Sequence, residues 1–296
     1  MSVLPGEASP GNYFDILIEG EYMDNLGTHA VVNGKLILAS EAVLPVQDKA
    51  VQSGFGVYES LKIVQSKVVY LEDHLHRLNQ SAQGIGLSHP FTNDQISEWI
   101  YLLINTDLIV EATMRILLMG TELPILMITA QAMLKYPDTW YEQGISVITY
   151  KGERILPKYK TCSLLVNYLA LHQANANKAF EALLVDRQDR VLEGTRSNFF
   201  AFKDGVLHTP DDSLVLGGVT RDKILKAAEL LNIPISWEIP SLIDVHELRY
   251  DELFISSTSM GALPIASVDG ITVNQTFSRT LAIHRLIRKW ETQTLH

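Results

Sequence analysis

The chain lacks most of the features that mark specialised protein classes. It has one cysteine, Cys162, in 296 residues, so no disulfide can form within it. That fits a reducing compartment and leaves stability to the apolar core. No stretch reaches the roughly 18 uninterrupted apolar residues that a transmembrane helix needs. The best candidate, 96–110, is broken by Ser97, Glu98, Asn105, Thr106 and Asp107. Residues Met1 to Asn12 carry no basic cluster followed by an apolar run, so no signal peptide is expected. Basic residues are also few. Twenty-four Lys and Arg against 34 Asp and Glu leave a formal net charge of −10. This argues against nucleic acid as a partner, because phosphate backbones demand clustered cations. A few local cations can still define a site for a small anion. The expectation is a soluble, cytoplasmic protein with neither a membrane nor a nucleic-acid partner.

What is present is the mixture of a globular protein, 47% hydrophobic and 20% charged, long enough for one large domain or two ordinary ones. A short apolar run spans Tyr13 to Glu19. His29 to Leu38 reads as a hairpin turning at Asn33-Gly34. Gly56 to Val64 and Lys67 to Leu71 read as a strand pair joined near Gln65-Ser66. Leu71, Leu75, Leu78 and Ala82 share a helix face, ending near Gly84. A second helix is expected over Asn93 to Ile104, followed by strands over Glu111 to Met119 and Pro124 to Ala130.

Residues Gln131 to Gln143 are polar and aromatic, without a clear period. The reading therefore divides the chain into a small N-terminal α+β domain, 1–133, a linker, 134–144, and a larger domain, 145–296. The second part reads as a strand at Ile145 to Tyr150 and a helix over Ser163 to Lys178. Strands at Ala182 to Val185, Ser197 to Phe202 and Val206 to Thr209 precede a helix over Arg221 to Leu231. Glu252 to Ser257 and a helix from Phe277 close the chain. Hairpins with irregularly placed helices indicate an α+β fold rather than a doubly wound parallel sheet.

Four segments carry residues capable of chemistry. Lys160, ahead of a helix, is either a solvated charge or an amine that forms an imine with an aldehyde. Lys158, two residues earlier, would share a strand face with it, and periodicity does not choose between them. Glu193, among apolar residues beside Gly194, is either a turn cap or a carboxylate for a protonated ring nitrogen. Leu216 to Arg221 contains Gly217-Gly218 directly before a helix. It is either a plain turn capped by Thr220 or an anion cradle of backbone N–H groups. In Glu72 to Leu78, His74 and His76 stand two apart on a helix and point to nearly opposite sides, which rejects a zinc site. No metal is expected. Arg77 in that helix is either a surface charge or a clamp for phosphate. Cys162 reads as a small buried hydrophobe.

Taken in this order, the segments resemble the fold-type IV, or class IV, aminotransferases that depend on pyridoxal 5′-phosphate (PLP). That group includes D-amino acid and branched-chain aminotransferases and aminodeoxychorismate lyases. The resemblance runs from about His29 to Val268. Asp48 with Gly54 to Glu59 looks like the family's first strand, and His74 to Leu78 with Ser81-Ala82 looks like its arginine-bearing helix. Lys160 to Leu165 looks like the lysine segment, which favours Lys160 over Lys158, although Ser163 replaces the family's asparagine. Glu193-Gly194 with Ser197-Asn198, Gly218 to Arg221, and Ser257-Thr258 match the remaining motifs.

The resemblance implies a two-domain α+β fold with a pseudo-barrel C-terminal domain and a homodimer. It also implies PLP held by Lys160 as a Schiff base, with Arg77, Glu193, Val219, Thr220, Ser257 and Thr258 as further ligands. Tyr58, Lys62, Arg115 and Arg196 are the expected substrate contacts, Arg196 for the carboxylate. The implied activity is ping-pong exchange of an amino group between an amino acid, of D- or branched-chain type, and a 2-oxo acid. A 4-amino-4-deoxychorismate lyase is the alternative, since Ser257 to Pro264 is somewhat lyase-like. Met119 stands where D-amino acid enzymes carry arginine.

Overall fold

The structure, a computed structural model, describes residues 27–273 and 276–294. The run from Tyr13 to Glu19 lies outside the described residues. The first sheet takes β1 (His29–Val32), β2 (Lys35–Leu38), β3 (Gly56–Val64), β4 (Lys67–Val68), β5 (Ala112–Met119) and β6 (Ile125–Gln131). Its order is β2-β1-β6-β5-β3-β4, with every pairing antiparallel. Asn33 and Gly34 turn the first hairpin with φ of 49° and 82°, the left-handed pair whose twist matches the flanking strands. β4 stops short of the expected Leu71. Tyr70 takes a left-handed φ of 55°, and the chain enters a helix at Leu71.

Three helices belong to this part: α1 (Lys49–Ser53), α2 (Leu71–Gly84) and α3 (Asn93–Thr106). A reciprocal capping box between Thr92 and Gln95 starts α3. Alternation along β3 buries Val57, Leu61 and Ile63 on one face, where Leu75, Leu78, Ile96 and Ile100 cover them. The other face carries Tyr58, Ser60 and Lys62. Across the ladder Ser60 pairs with Arg115, and Lys62 with Thr113, which pairs in turn with Gln131. The pleat therefore collects a polar strip on the face turned towards the rest of the molecule.

The second part contains α4 (Asp138–Gln143), β7 (Ile145–Lys151), α5 (Leu165–Ala176), β8 (Glu181–Val185), β9 (Val191–Gly194), β10 (Asn198–Lys203), β11 (Val206–His208) and α6 (Val219–Leu230). It continues with β12 (Ile235–Ser236), α7 (Leu242–His246), β13 (Glu252–Ser257), β14 (Gly261–Val268), β15 (Ile271–Thr272) and α8 (Ser278–Thr294). The strand order is β12-β11-β10-β13-β14-β7-β8-β9. Because β9 also pairs with β10, the sheet closes on itself. Val147, Leu183, Phe199, Ile255 and Leu263 form one core of this closed sheet. Alternate residues form separate clusters. Phe200 and Phe254 pack with Ile224 of α6 and Ile283 of α8, while Ala182 and Leu184 pack with Ala170 and Ala174 of α5. Strands covered on both faces have no period of two, and β8 is buried at all five positions. Among the described residues, no helix is long and apolar enough to cross a membrane.

Candidate active site

Lys160 lies outside any regular element, yet its backbone is fixed on both sides. Its N–H donates to Ser81 Oγ at 3.0 Å, and its carbonyl accepts from the Tyr58 N–H at 3.0 Å. The next residue, Thr161, bridges to Val57, and the Cys162 N–H donates to the Gly56 carbonyl. The lysine loop is thus laced to the end of β3. Its ammonium sits 4.5 Å from the centre of the Tyr58 ring and has no hydrogen-bond acceptor among the described residues. Burial pushes its pKa down. The Tyr58 hydroxyl opposes this, and Arg77 adds to it. Lys158 is exposed and lies outside the cavity. The two lysines share no strand face, because a turn separates them.

Glu193 is 4% exposed and stands on β9, paired to Asn198 across the ladder, rather than in a turn. One carboxylate oxygen accepts from Arg154 at 3.2 Å and the other from the Leu216 N–H at 3.2 Å. Burial raises its pKa, and Arg154 opposes that rise. Arg154 also donates to the carbonyls of Pro157 and Tyr159, so one guanidinium ties Glu193 to the lysine loop.

Arg77, on α2, is gripped by Glu59 at 2.6 and 2.8 Å, and its remaining nitrogen reaches the Gly217 carbonyl at 3.3 Å. His74 Nδ1 donates to the same carboxylate at 2.8 Å. Burial alone would raise the Glu59 pKa, but Arg77 and His74 hold it well below the usual carboxylate range. Helix α6 begins at Val219 with Gly218 as its N-cap, two residues earlier than expected, so Thr220 is inside the helix and not its cap. A Cβ on Gly218 would collide with Asn198 Oδ1, whose amide nitrogen holds the Leu216 carbonyl. Only glycine permits that approach. Val219, Thr220, Ser257 and Thr258 line the same cleft as Lys160, Arg77 and Glu193, and the Ser256 hydroxyl buried there has no hydrogen-bond partner among the described residues.

The cleft opens into a cavity of about 400 Å³ between the two sheets. Among the described residues, five cations line it, Lys62, Arg77, Arg115, Lys160 and Arg196, and no Asp or Glu does. Their partners differ. Lys62 is 2.8 Å from Glu291, and Arg196 lies 3.7 Å from the buried Glu181 and over the Phe180 ring at 4.9 Å. Arg115 rests on the Tyr58 ring at 4.3 Å and has no carboxylate partner among the described residues.

Residues 56–268 match the family model described as amino-transferase class IV. A D-alanine aminotransferase of Listeria monocytogenes is 32% identical over 258 residues, spanning 82% of this chain and 88% of the relative. This chain belongs to the class IV aminotransferases. The fold agrees. A branched-chain amino acid aminotransferase of Escherichia coli superposes with a TM-score of 0.81 at 25% identity, covering 89% of this chain and 94% of the other. The T.th. enzyme of that kind, solved with pyridoxamine 5′-phosphate, gives a TM-score of 0.84 at 22% identity, covering 90% and 95%.

Class IV aminotransferases use PLP, which presents an aldehyde, a pyridine nitrogen and a phosphate. The cleft answers each group. It offers an amine without an acceptor, a buried carboxylate, and an anion site built from Arg77, the first turn of α6 and three hydroxyls. Sequence reasoning missed Glu59, Arg154 and Glu181. For Glu59 a signal existed, since the alternation of β3 puts a carboxylate on the apolar face, and such a charge requires a partner. Arg154 gave none, because it is one more arginine in a loop.

Proposed function

We propose that this aminotransferase exchanges the amino group of a monocarboxylic amino acid, of D-alanine or branched-chain type, with a 2-oxo acid. The observation that carries this reading is the convergence of Lys160, Glu193 and Arg77 on one cleft that opens into a cation-lined cavity. PLP, when bound, supplies the electron sink. Lys160 would hold the cofactor through its side-chain amine and, when that amine is free, would serve as the base and acid that moves the proton at the substrate carbon. Glu193 would face the ring nitrogen and hold its proton, and Arg154 favours the ionised form of Glu193 against the burial that raises its pKa. Arg77, Val219, Thr220, Ser257 and Thr258 hold the phosphate.

Tyr58 and Arg115 face the substrate, with Arg115 as the carboxylate anchor, since it is the arginine of the cavity without a carboxylate partner among the described residues. Arg196 shares the cavity, but Glu181 and the Phe180 carbonyl already engage it. Residues 1–133 and 145–296 act as the small and large domains about the linker 134–144, in a cytoplasmic homodimer. Exposed Leu165 and Leu169 beside the cavity residue Tyr168 support a second subunit there.

The test is a screen of both enantiomers of alanine, valine and leucine against pyruvate and 2-oxoglutarate with PLP-loaded enzyme. Turnover with no donor, together with release of an aromatic amine from 4-amino-4-deoxychorismate, would replace this reading with the lyase.

A further inference from the structure

The helix that carries Arg77 also carries the seat of the lysine loop. Ser81 and Gly84 follow Arg77 by four and seven positions, so all three lie on one face of α2. Ser81 is buried, and its Oγ accepts the Lys160 N–H at 3.0 Å. Gly84, at the end of the helix, receives the ring of Tyr159. A Cβ on Gly84 would fall 2.1 Å from Cζ, 2.2 Å from Cε1 and 2.6 Å from Cδ1 of that ring. No larger residue fits beneath the ring where it stands. Gly84 has no left-handed φ, so this glycine answers to space and not to backbone conformation.

Tyr159 is tied at both of its backbone groups as well. Its N–H donates to the Leu156 carbonyl at 3.0 Å, and its carbonyl accepts from Arg154 at 2.8 Å. The Tyr159 ring and the Lys160 amide are therefore the two points at which the loop rests on α2. Ser81, Gly84 and Tyr159 line neither the cleft nor the cavity. The amine must nevertheless meet an aldehyde whose phosphate end is fixed by Arg77. One helix sets both ends, and an attacking group out of place by about 1 Å can cost on the order of a hundredfold in rate.

We propose that Ser81 and Gly84 are positioning residues for Lys160, seating its loop on α2 in register with the phosphate clamp. This rests on reading Lys160 as the anchor of the cofactor. The step served is condensation of the Lys160 amine with the aldehyde: a carbon–nitrogen double bond forms, and the aldehyde oxygen leaves as water.

The test compares PLP with 4-deoxypyridoxine 5′-phosphate, which has a methyl group in place of the aldehyde and cannot condense. Both are titrated into the full-length chain freed of cofactor, and the ratio of affinities reads the lysine bond alone. Ser81→Ala and Gly84→Ala should each lower the preference for PLP about tenfold, the worth of a lost buried hydrogen bond, and leave the methyl analogue within about twofold. Alanine favours a helix over glycine, so Gly84→Ala should not melt α2. Tyr159→Ala should give the same loss, and adding Gly84→Ala to it should cost nothing more, because the ring it would strike is gone. Arg77→Ala should weaken both ligands together and leave the ratio unmoved. A ratio unmoved by Gly84→Ala overturns the proposal, even if Ser81→Ala folds poorly. So does a Gly84→Ala loss that persists in full on top of Tyr159→Ala. A general packing defect would weaken both ligands equally and count against positioning. A wild type that binds the two ligands alike would strike the reading of Lys160 as anchor, and the proposal with it.

Discussion

On the side of the cleft built by the second sheet, the charged groups arrive already engaged. Glu193 has Arg154 and the Leu216 N–H, and Arg196 lies 3.7 Å from Glu181 and donates to the Phe180 carbonyl. On the facing wall, built by the first sheet, Arg115 has an aromatic ring beneath it and no carboxylate. The first arrangement is rigid and suits a cofactor that never changes. The second leaves one charge open for a ligand that must come and go. Buried groups satisfied in advance cost nothing at the moment of reaction, whereas an open cation gains its partner only on binding.

The comparison breaks most completely at Lys160. Lys160→Ala should abolish transamination, and borohydride reduction of wild type should place the pyridoxyl group on a peptide containing Lys160. A label on Lys158 would refute the assignment. Next comes the engaged side. Glu193→Gln should retain the cofactor but lower kcat by about one to two decades, since roughly 1.5–3 kcal/mol of charge-assisted bonding is lost. Wild-type turnover in that variant would remove Glu193 from the chemistry.

The open side should respond differently from the closed one. Arg115→Met should raise KM for amino acids about tenfold or more, while Arg196→Met should change KM much less. Arg196 already lies against Glu181 and the Phe180 carbonyl, and Glu181 keeps its donors from Thr195 and Ser197. Steady-state kinetics beside thermal melts decide this, and a larger KM effect at Arg196 would reverse the assignment.

The smallest effect concerns His284 of α8, packed against the Tyr141 ring and hydrogen-bonded to the Ala262 carbonyl. Burial, with Arg288 nearby, pushes its pKa from 6.5 down to about 4. Between those values the unfolded chain binds more protons than the folded one. Stability should therefore fall as pH drops through that window. His284→Gln should flatten part of the fall in melting temperature, and an unchanged profile would show the ring to be irrelevant.

Local signals made much of this legible in the sequence. The Asn33-Gly34 hairpin, the helix through Leu75 and Leu78, and the order of the lysine, glutamate and glycine-turn segments all depend on neighbours in the chain. What stayed hidden depends on partners far away. β14 carries Pro264 and is buried on both faces, so it offers neither alternation nor ordinary strand composition. β9 is four residues long, and its Gly194 reads as a turn. The pairing of Lys62 with Glu291 is hidden because the two lie at opposite ends of the chain. Arg196 likewise looked available, since nothing nearby in sequence announces that Glu181 is buried against it.

The lacing of residues 160–162 onto the end of β3 bears on how the enzyme could be taken apart. Lys160 belongs to the second half of the chain by sequence, but its backbone hydrogen bonds run to Tyr58 and Ser81 of the first half. Halves produced separately, divided in the 134–144 segment, would each keep a sheet and a core. Neither would possess the site. The first would hold Tyr58 and Arg77 with no amine, and the second would hold an amine on an untethered loop. Reassembly of the two fragments should therefore be readable as the return of cofactor capture, a chemical reporter of one backbone seam.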